Sequence, residues 1–196
     1  MNPTKTKILE TVIKLLADSS KRKLTISNVA DETGIGKSTI YEHFKNKDEM
    51  IHDAIILMID YQVNALLDSE NLINKTFEEA FKAYMSMSIN ETKNNNLAHY
   101  LMQSRAYNEL PVNYKQAIIE HAYQAVDKTR KYLKDMFEIG FSEGLFQVSL
   151  NTERFYIIES LIFGVNLSCG NPMNDWDIDM LIEELYKSII LLLNEK

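Results

Sequence analysis

Glycine and proline are too scarce in this chain to punctuate a β-fold, and this constrains its architecture more than any other feature. The 196 residues include six glycines and three prolines. No glycine falls between Lys37 and Ile139, and Pro111 is the sole proline in that stretch. A β-sandwich of this size needs turn residues every ~8–12 positions. Long stretches rich in Leu, Lys, Glu, Met and Ala favour helices instead. The chain reads as all-α. A hydrophobic fraction of 45% with 25% charged residues is ordinary for a folded domain and excludes a wholly disordered chain.

The spacing predicts about nine helices. The first covers residues 4–18, with Ile8, Val12, Leu15 and Leu16 on one face. A second follows Thr25, a residue type that caps helix N-termini, and ends at Gly34. The third opens near Gly36-Lys37 and runs to about Phe44. Asn46 with Glu49 three positions on resembles a capping box for the fourth, which continues to about residue 67. Further helices are expected over 75–91, 95–107, 112–142, 152–168 and 176–193. Gly140 and Gly144 end the longest of them, and Gly170-Asn171-Pro172 breaks the chain before the last.

The formal charge is −7, which by itself argues against a chain that coats nucleic acid. It is unevenly distributed. Residues 1–50 hold nine basic and seven acidic side chains, a balance of +2, which leaves −9 for the remainder. A mildly basic head therefore precedes a strongly acidic body, and an acidic body repelled by DNA leaves the contact to the head.

Two short helices around a tight Gly-containing turn make a helix-turn-helix. Val29, Ala30, Ile35, Ile40 and Phe44 are placed to converge with Leu15 and Leu16. With Ile40 and Phe44 turned inward, Lys37, Ser38, Tyr41 and Glu42 occupy the other face of the third helix. Lys reaches guanine or phosphate, Ser serves base or backbone, and a Tyr hydroxyl suits phosphate. Lys45 and Lys47 flank the start of the fourth helix, where backbone N–H groups and the helix dipole add to an anion site. The Thr25 cap offers a hydroxyl and an amide cluster of the same kind. His43 either hydrogen-bonds a phosphate or caps the core. Glu42 accepts from a cytosine amine, turns to solvent, or pairs with Lys45 or Lys37. Gly36 either permits close approach to the DNA backbone or relieves crowding in the turn.

Residues 24–50 resemble the DNA-binding segment of TetR-type transcriptional regulators. The resemblance rests on Thr25, Val29-Ala30, Gly34-Ile35, Lys37, Ile40-Tyr41, His43-Phe44 and Lys47 followed by Asp48, all in register. It covers about the first quarter of the chain. It implies DNA contacts from Thr25, Gly36, Lys37, Ser38, Thr39, Tyr41, His43 and Lys47. It also implies a helix-turn-helix domain over 1–47 and an effector-binding and dimerisation domain over 48–196, with the helix over about 47–67 as the link. A homodimer would place two heads on a palindromic duplex operator, and a small hydrophobic effector would release them. A repressor is the expected role.

Residues 155–167 are apolar almost all round, and the final helix carries Ile178, Leu181, Ile182, Leu185, Ile189, Leu192 and Leu193 on one broad face. A terminal helix apolar on more than one side needs more than its own core to cover it. Phe155, Ile158, Ile162, Leu181, Leu185 and Ile189 are the expected dimer contacts; a buried helix pair within one protomer explains the same pattern. Met and aromatic side chains in the middle helices suit an adaptable apolar cavity, although they are more often plain core. His99, Met102, Gln103 and Tyr123 are the effector-binding candidates.

The sequence has no Gly-rich phosphate loop, no His-Glu-x-x-His and no Cys/His cluster with zinc-like spacing. Glu183-Glu184 and Glu78-Glu79 are adjacent pairs that point to different helix faces. No catalytic residues, metal or cofactor are expected. The single Cys169 excludes an intrachain disulfide and fits a reducing cytoplasm. No secretory apolar region follows Met1, and no apolar run approaches the ~18 residues of a membrane span. An all-α sensor or adaptor working through protein contacts is the alternative, and it would have no use for the outward Lys37, Ser38, Tyr41 and Lys47.

Overall fold

The computed structural model describes residues 2–17, 24–67, 72, 74–94, 105–148, 150–169 and 174–194. All regular structure among them is helical: α1 Pro3–Ala17, α2 Ile26–Thr33, α3 Lys37–His43, α4 Lys47–Leu66, α5 Phe77–Asn94, α6 Arg105–Asn108, α7 Val112–Ser142, α8 Thr152–Cys169 and α9 Ile178–Leu192. Of the helix expected over 95–107, only its end lies in the described residues, as α6.

The chain divides into two compact units, Met1–Val63 with Leu97–Val126, and Asn64–Asn96 with Asp127–Lys196. The first unit is larger than the 1–47 domain expected from sequence. Its core joins Ile8, Leu9, Val12 and Leu16 of α1 with Val29 and Ala30 of α2, Ile40 of α3 and Phe44. Met50, Ile51, Ala54, Ile55 and Met58 of α4 complete it, together with Leu110 and Ile118. The head cannot cover its own apolar face, so α4 and the start of α7 contribute to the same core. Lys5–Asp53 at 2.8 Å and the Tyr61 hydroxyl donating to Glu10 at 3.2 Å tie α4 to α1. His121 pairs with Asp60 at 2.8 Å, tying α7 to α4.

The second unit is built on aromatic packing. Phe77 and Phe81 of α5 meet Phe137 of α7, Phe146 and Tyr186 of α9. A reciprocal capping box starts α5: the Thr76 amide donates to Glu79 at 3.0 Å, and the Glu79 amide donates to the Thr76 hydroxyl at 3.2 Å. That bond to the Thr76 backbone holds the Glu79 carboxyl below its ordinary range. Lys82 bridges α5 to Glu183 of α9, and burial pushes the Tyr84 hydroxyl up to about 12.

The longest helix, α7, ends at Ser142 as expected, and of the two glycines expected to end it Gly140 lies within the helix. Gly144, at φ +73°, ends it, with the Leu145 amide donating to the Gly140 carbonyl and the Gly144 amide to that of Phe141, each at 3.0 Å. Gly140 serves a packing purpose instead. A Cβ there would lie 2.3 Å from Cε2 of the buried Phe146 ring and 3.1 Å from Phe77. Gly140→Ala is expected to lower unfolding free energy by about 1–3 kcal/mol, read from guanidinium unfolding, because the aromatic cluster has no room to yield.

Candidate nucleic-acid interface

Each end of α2 is fixed by local chemistry. Thr25 is extended (φ −136°, ψ 154°), and its hydroxyl accepts from the Asn28 amide at 3.2 Å. At the other end the buried Thr33 hydroxyl donates to the Val29 carbonyl at 2.6 Å and accepts from the Ile35 amide at 3.2 Å. Gly34 turns the chain at φ +68°, a left-handed conformation that a Cβ disfavours. Sequence reasoning identified Gly34 and missed Thr33, whose side-chain bonds cross the turn and set the entry into α3.

The roll of α3 follows from two buried residues. Ile40 is fully buried and Phe44 nearly so, while Tyr41 on the opposite side is 56% exposed. Gly36, Lys37, Ser38 and Glu42 are exposed, and Thr39 and His43 are half-buried. The expected outward row therefore forms, with Thr39 at its edge. His43 stands edge-on to Phe44, ring centres 6.4 Å apart. Among the described residues Glu42 pairs with neither Lys37 nor Lys45, and both lysines are without an acidic partner. A Cβ on Gly36 would meet only the Ser38 hydroxyl, at an ordinary 3.6 Å, so crowding within the turn does not require glycine there.

The predicted capping box at α4 forms with its return bond shifted by one residue. Asn46 Oδ1 accepts from the Glu49 amide at 2.8 Å, and Glu49 Oε2 accepts from the Lys45 amide at 2.6 Å. The first-turn amides of Lys47 and Asp48 have no protein acceptor among the described residues. Lys47 itself is half-buried and lies 4.0 Å from Glu109. Exposed lysines, a hydroxyl row on α3 and a helix N-terminus thus share one head. This grouping suits a phosphate backbone flanking a major groove, with short side chains left to read base edges.

The other predicted sites fare differently. His99, Met102 and Gln103 lie outside the described residues. Tyr123 does not line an interior: it is 68% exposed on α7, beside exposed Ile119 and Val126. Phe155, Ile158, Ile162, Leu185 and Ile189 are buried in the protomer's own second core, with Leu181 packed at its margin. Phe155, Ile158 and Ile162 form the inner side of α8, and Leu185 and Ile189 that of α9, so in the protomer these side chains are covered by their own core. The outward side of α8 carries Tyr156, Ile157, Leu161, Phe163 and Leu167, and Met180 and Leu191 are exposed on α9.

The head is thus a helix-turn-helix DNA-binding module with its recognition helix bared. Residues 8–54 match the family model described as bacterial regulatory proteins, tetR family. The chain is 26% identical over 146 residues to the HTH-type transcriptional regulator YerO of Bacillus subtilis, covering 74% of this chain and 49% of that protein. It thus spans about half the length of that relative. It is 20% identical over 150 residues to the HTH-type transcriptional repressor KstR2 of Mycolicibacterium smegmatis, covering 76% of this chain and 70% of that protein. The fold is similar to that of the transcriptional regulator FadR from Bacillus subtilis in complex with stearoyl-CoA, with a TM-score of 0.64 at 18% identity, covering 96% of this chain and 97% of that one. The match to that family model covers the helix-turn-helix head, residues 8–54, and the likeness of the remainder is one of fold.

Gly36→Ser adds a Cβ where the protomer has room, together with a hydroxyl that can cap α3. It is expected to keep or raise the melting temperature while weakening duplex binding. Tyr41→Ala is expected to weaken binding roughly five- to a hundredfold with little change in melting. Fluorescence anisotropy and thermal melts measure both.

Proposed function

We propose that this protein is a cytoplasmic homodimeric repressor that holds a palindromic operator with its two heads and releases it when its helical body takes up a small hydrophobic effector. It acts by binding, with no catalytic chemistry. The observation that carries the reading is the face of α3, where burial of Ile40 and Phe44 leaves Lys37, Ser38 and Tyr41 in solvent. Thr25, Gly36, Thr39, His43 and Lys47 flank that row and complete the contact, with phosphates fixing register and short side chains reading bases. The adaptor alternative leaves this row and the family match unexplained.

The homologous repressor KstR2 supports repression, and the FadR complex with stearoyl-CoA supports an effector with a long apolar part. No helix among the described residues is long and apolar enough to cross a membrane. The dimer contact moves from the predicted residues to the outward side of α8. Tyr156, Ile157, Leu161, Phe163 and Leu167 form an apolar surface that water covers poorly in a lone protomer. Burying such side chains contributes about 1.5–3 kcal/mol each, so a few supply a stable association.

Light scattering should give about twice the 22.7 kDa chain mass. Leu161→Glu, which puts a charge on that face, should return it to the monomer mass with its helical content kept. A wild-type monomer would refute the dimer. Binding to duplexes tiled across the gene's own upstream region should fall steeply with salt, and stearoyl-CoA should lower it at fixed salt. Binding that ignores Tyr41→Ala would refute the head assignment.

A further inference from the structure

Among the described residues, Lys47 is the one lysine of the proposed DNA-facing set whose side chain is paired with a carboxylate. Its Nζ lies 4.0 Å from Glu109 Oε2, while the other oxygen of that carboxylate, Oε1, takes the Arg105 Nε at 2.5 Å. Hydrogen bonding to Glu109 holds the Arg105 guanidinium above its ordinary value, so Arg105 stays charged on its side of the carboxylate. Arg105 opens α6 and Glu109 directly follows it, at the turn into α7, with the Glu109 amide donating to the Arg105 carbonyl at 2.9 Å. The residue after Glu109 ties the turn to the head. The adjacent Leu110 is 4% exposed and packs in the same core as Ile40, Phe44 and Met50. A carboxylate is thus anchored beside a helix N-terminus whose first-turn amides and lysine suit a phosphate.

We propose that Glu109 is a positioning residue for DNA binding: it competes with an operator phosphate for Lys47, so the α6–α7 turn sets how much of the Lys47 charge the head offers to DNA. The proposal rests on the DNA-binding reading above and goes beyond it by assigning a control point outside the helix-turn-helix. When phosphate takes Lys47, Glu109 keeps Arg105 as its counter-ion, so it need not be left unpaired. Any displacement of the turn that brings Glu109 closer to Lys47 lowers affinity, and any that withdraws it raises affinity. The His99, Met102 and Gln103 candidates immediately precede α6 in sequence, so whatever acts on them has the shortest covalent path to this carboxylate.

Phosphate contacts carry no sequence information, so an arbitrary fluorescein-labelled duplex of about 30 base pairs is a sufficient probe. Glu109→Gln keeps the shape and removes the charge. It is expected to tighten binding about two- to fivefold, the range of a partly exposed ion pair. The slope of log affinity against log salt is expected to steepen by up to about 0.9 for each head. Lys47→Ala is expected to cost more in the Glu109→Gln background than in the wild type, because only there is the lysine charge wholly available. A structural role for Glu109 alone would change melting without changing the salt slope. Unchanged or weaker binding by Glu109→Gln, or an equal cost of Lys47→Ala in both backgrounds, overturns the proposal. Tyr41→Ala in the wild type is the control: if the wild type does not bind the duplex, or binds it as well without Tyr41, the DNA-binding reading fails first.

Discussion

The exposed face of α3 depends on the burial of Ile40 and Phe44. Both are held in the core that α1, α2 and α4 share, and together they allow α3 only one roll about its axis. Fully burying two such side chains is worth about 1.5–3 kcal/mol each, against a net stability of only about 5–15 kcal/mol for a typical domain. Turning α3 over would forfeit that and bury Lys37 and Tyr41 in their place. The outward row is thus enforced by what lies beneath it. Local chemistry then fixes where α3 and α4 begin: Thr33 and Gly34 set the turn, and Asn46 with Glu49 sets the first turn of α4.

That core extends beyond the head. Leu110 and Ile118, far along the chain, complete it with residues of α4. A helix-turn-helix of under fifty residues has little interior of its own, and drawing in α4 and α7 supplies it. The same arrangement places Glu109 beside Lys47. Packing and electrostatics are coupled here: the apolar neighbour Leu110 anchors the turn, and the turn presents a carboxylate to Lys47 at the start of α4.

Much of the head was legible because its signals are local. The Thr25 cap, the Gly34 turn, the Asn46–Glu49 box and the four-residue spacing of Ile40 and Phe44 each act over a few residues, and each forms. The inner and outer sides of α8 were not legible. A helix apolar almost all round carries no periodicity to say which side faces its own core, so the sequence leaves Phe155, Ile158 and Ile162 open to a partner or to the protomer's interior, and in the fold they pack inward. Tyr123 was assigned to a cavity on residue type alone, and its side of α7 is exposed. The Lys47–Glu109 pair joins residues about sixty apart in sequence, and no local pattern announces it. Gly140 reads with Gly144 as part of the helix end, because its packing reason, the Phe146 ring, appears only once the chain is folded.

The most direct test of the central claim is residue-resolved: amide chemical shifts of the isotope-labelled protein titrated with a short duplex. Perturbations are expected to concentrate at Gly36, Lys37, Ser38, Tyr41 and Lys47, with the amides around Phe163 on α8 unmoved. Perturbations centred on α8 or α9, with the α3 amides unchanged at saturating duplex, would contradict it.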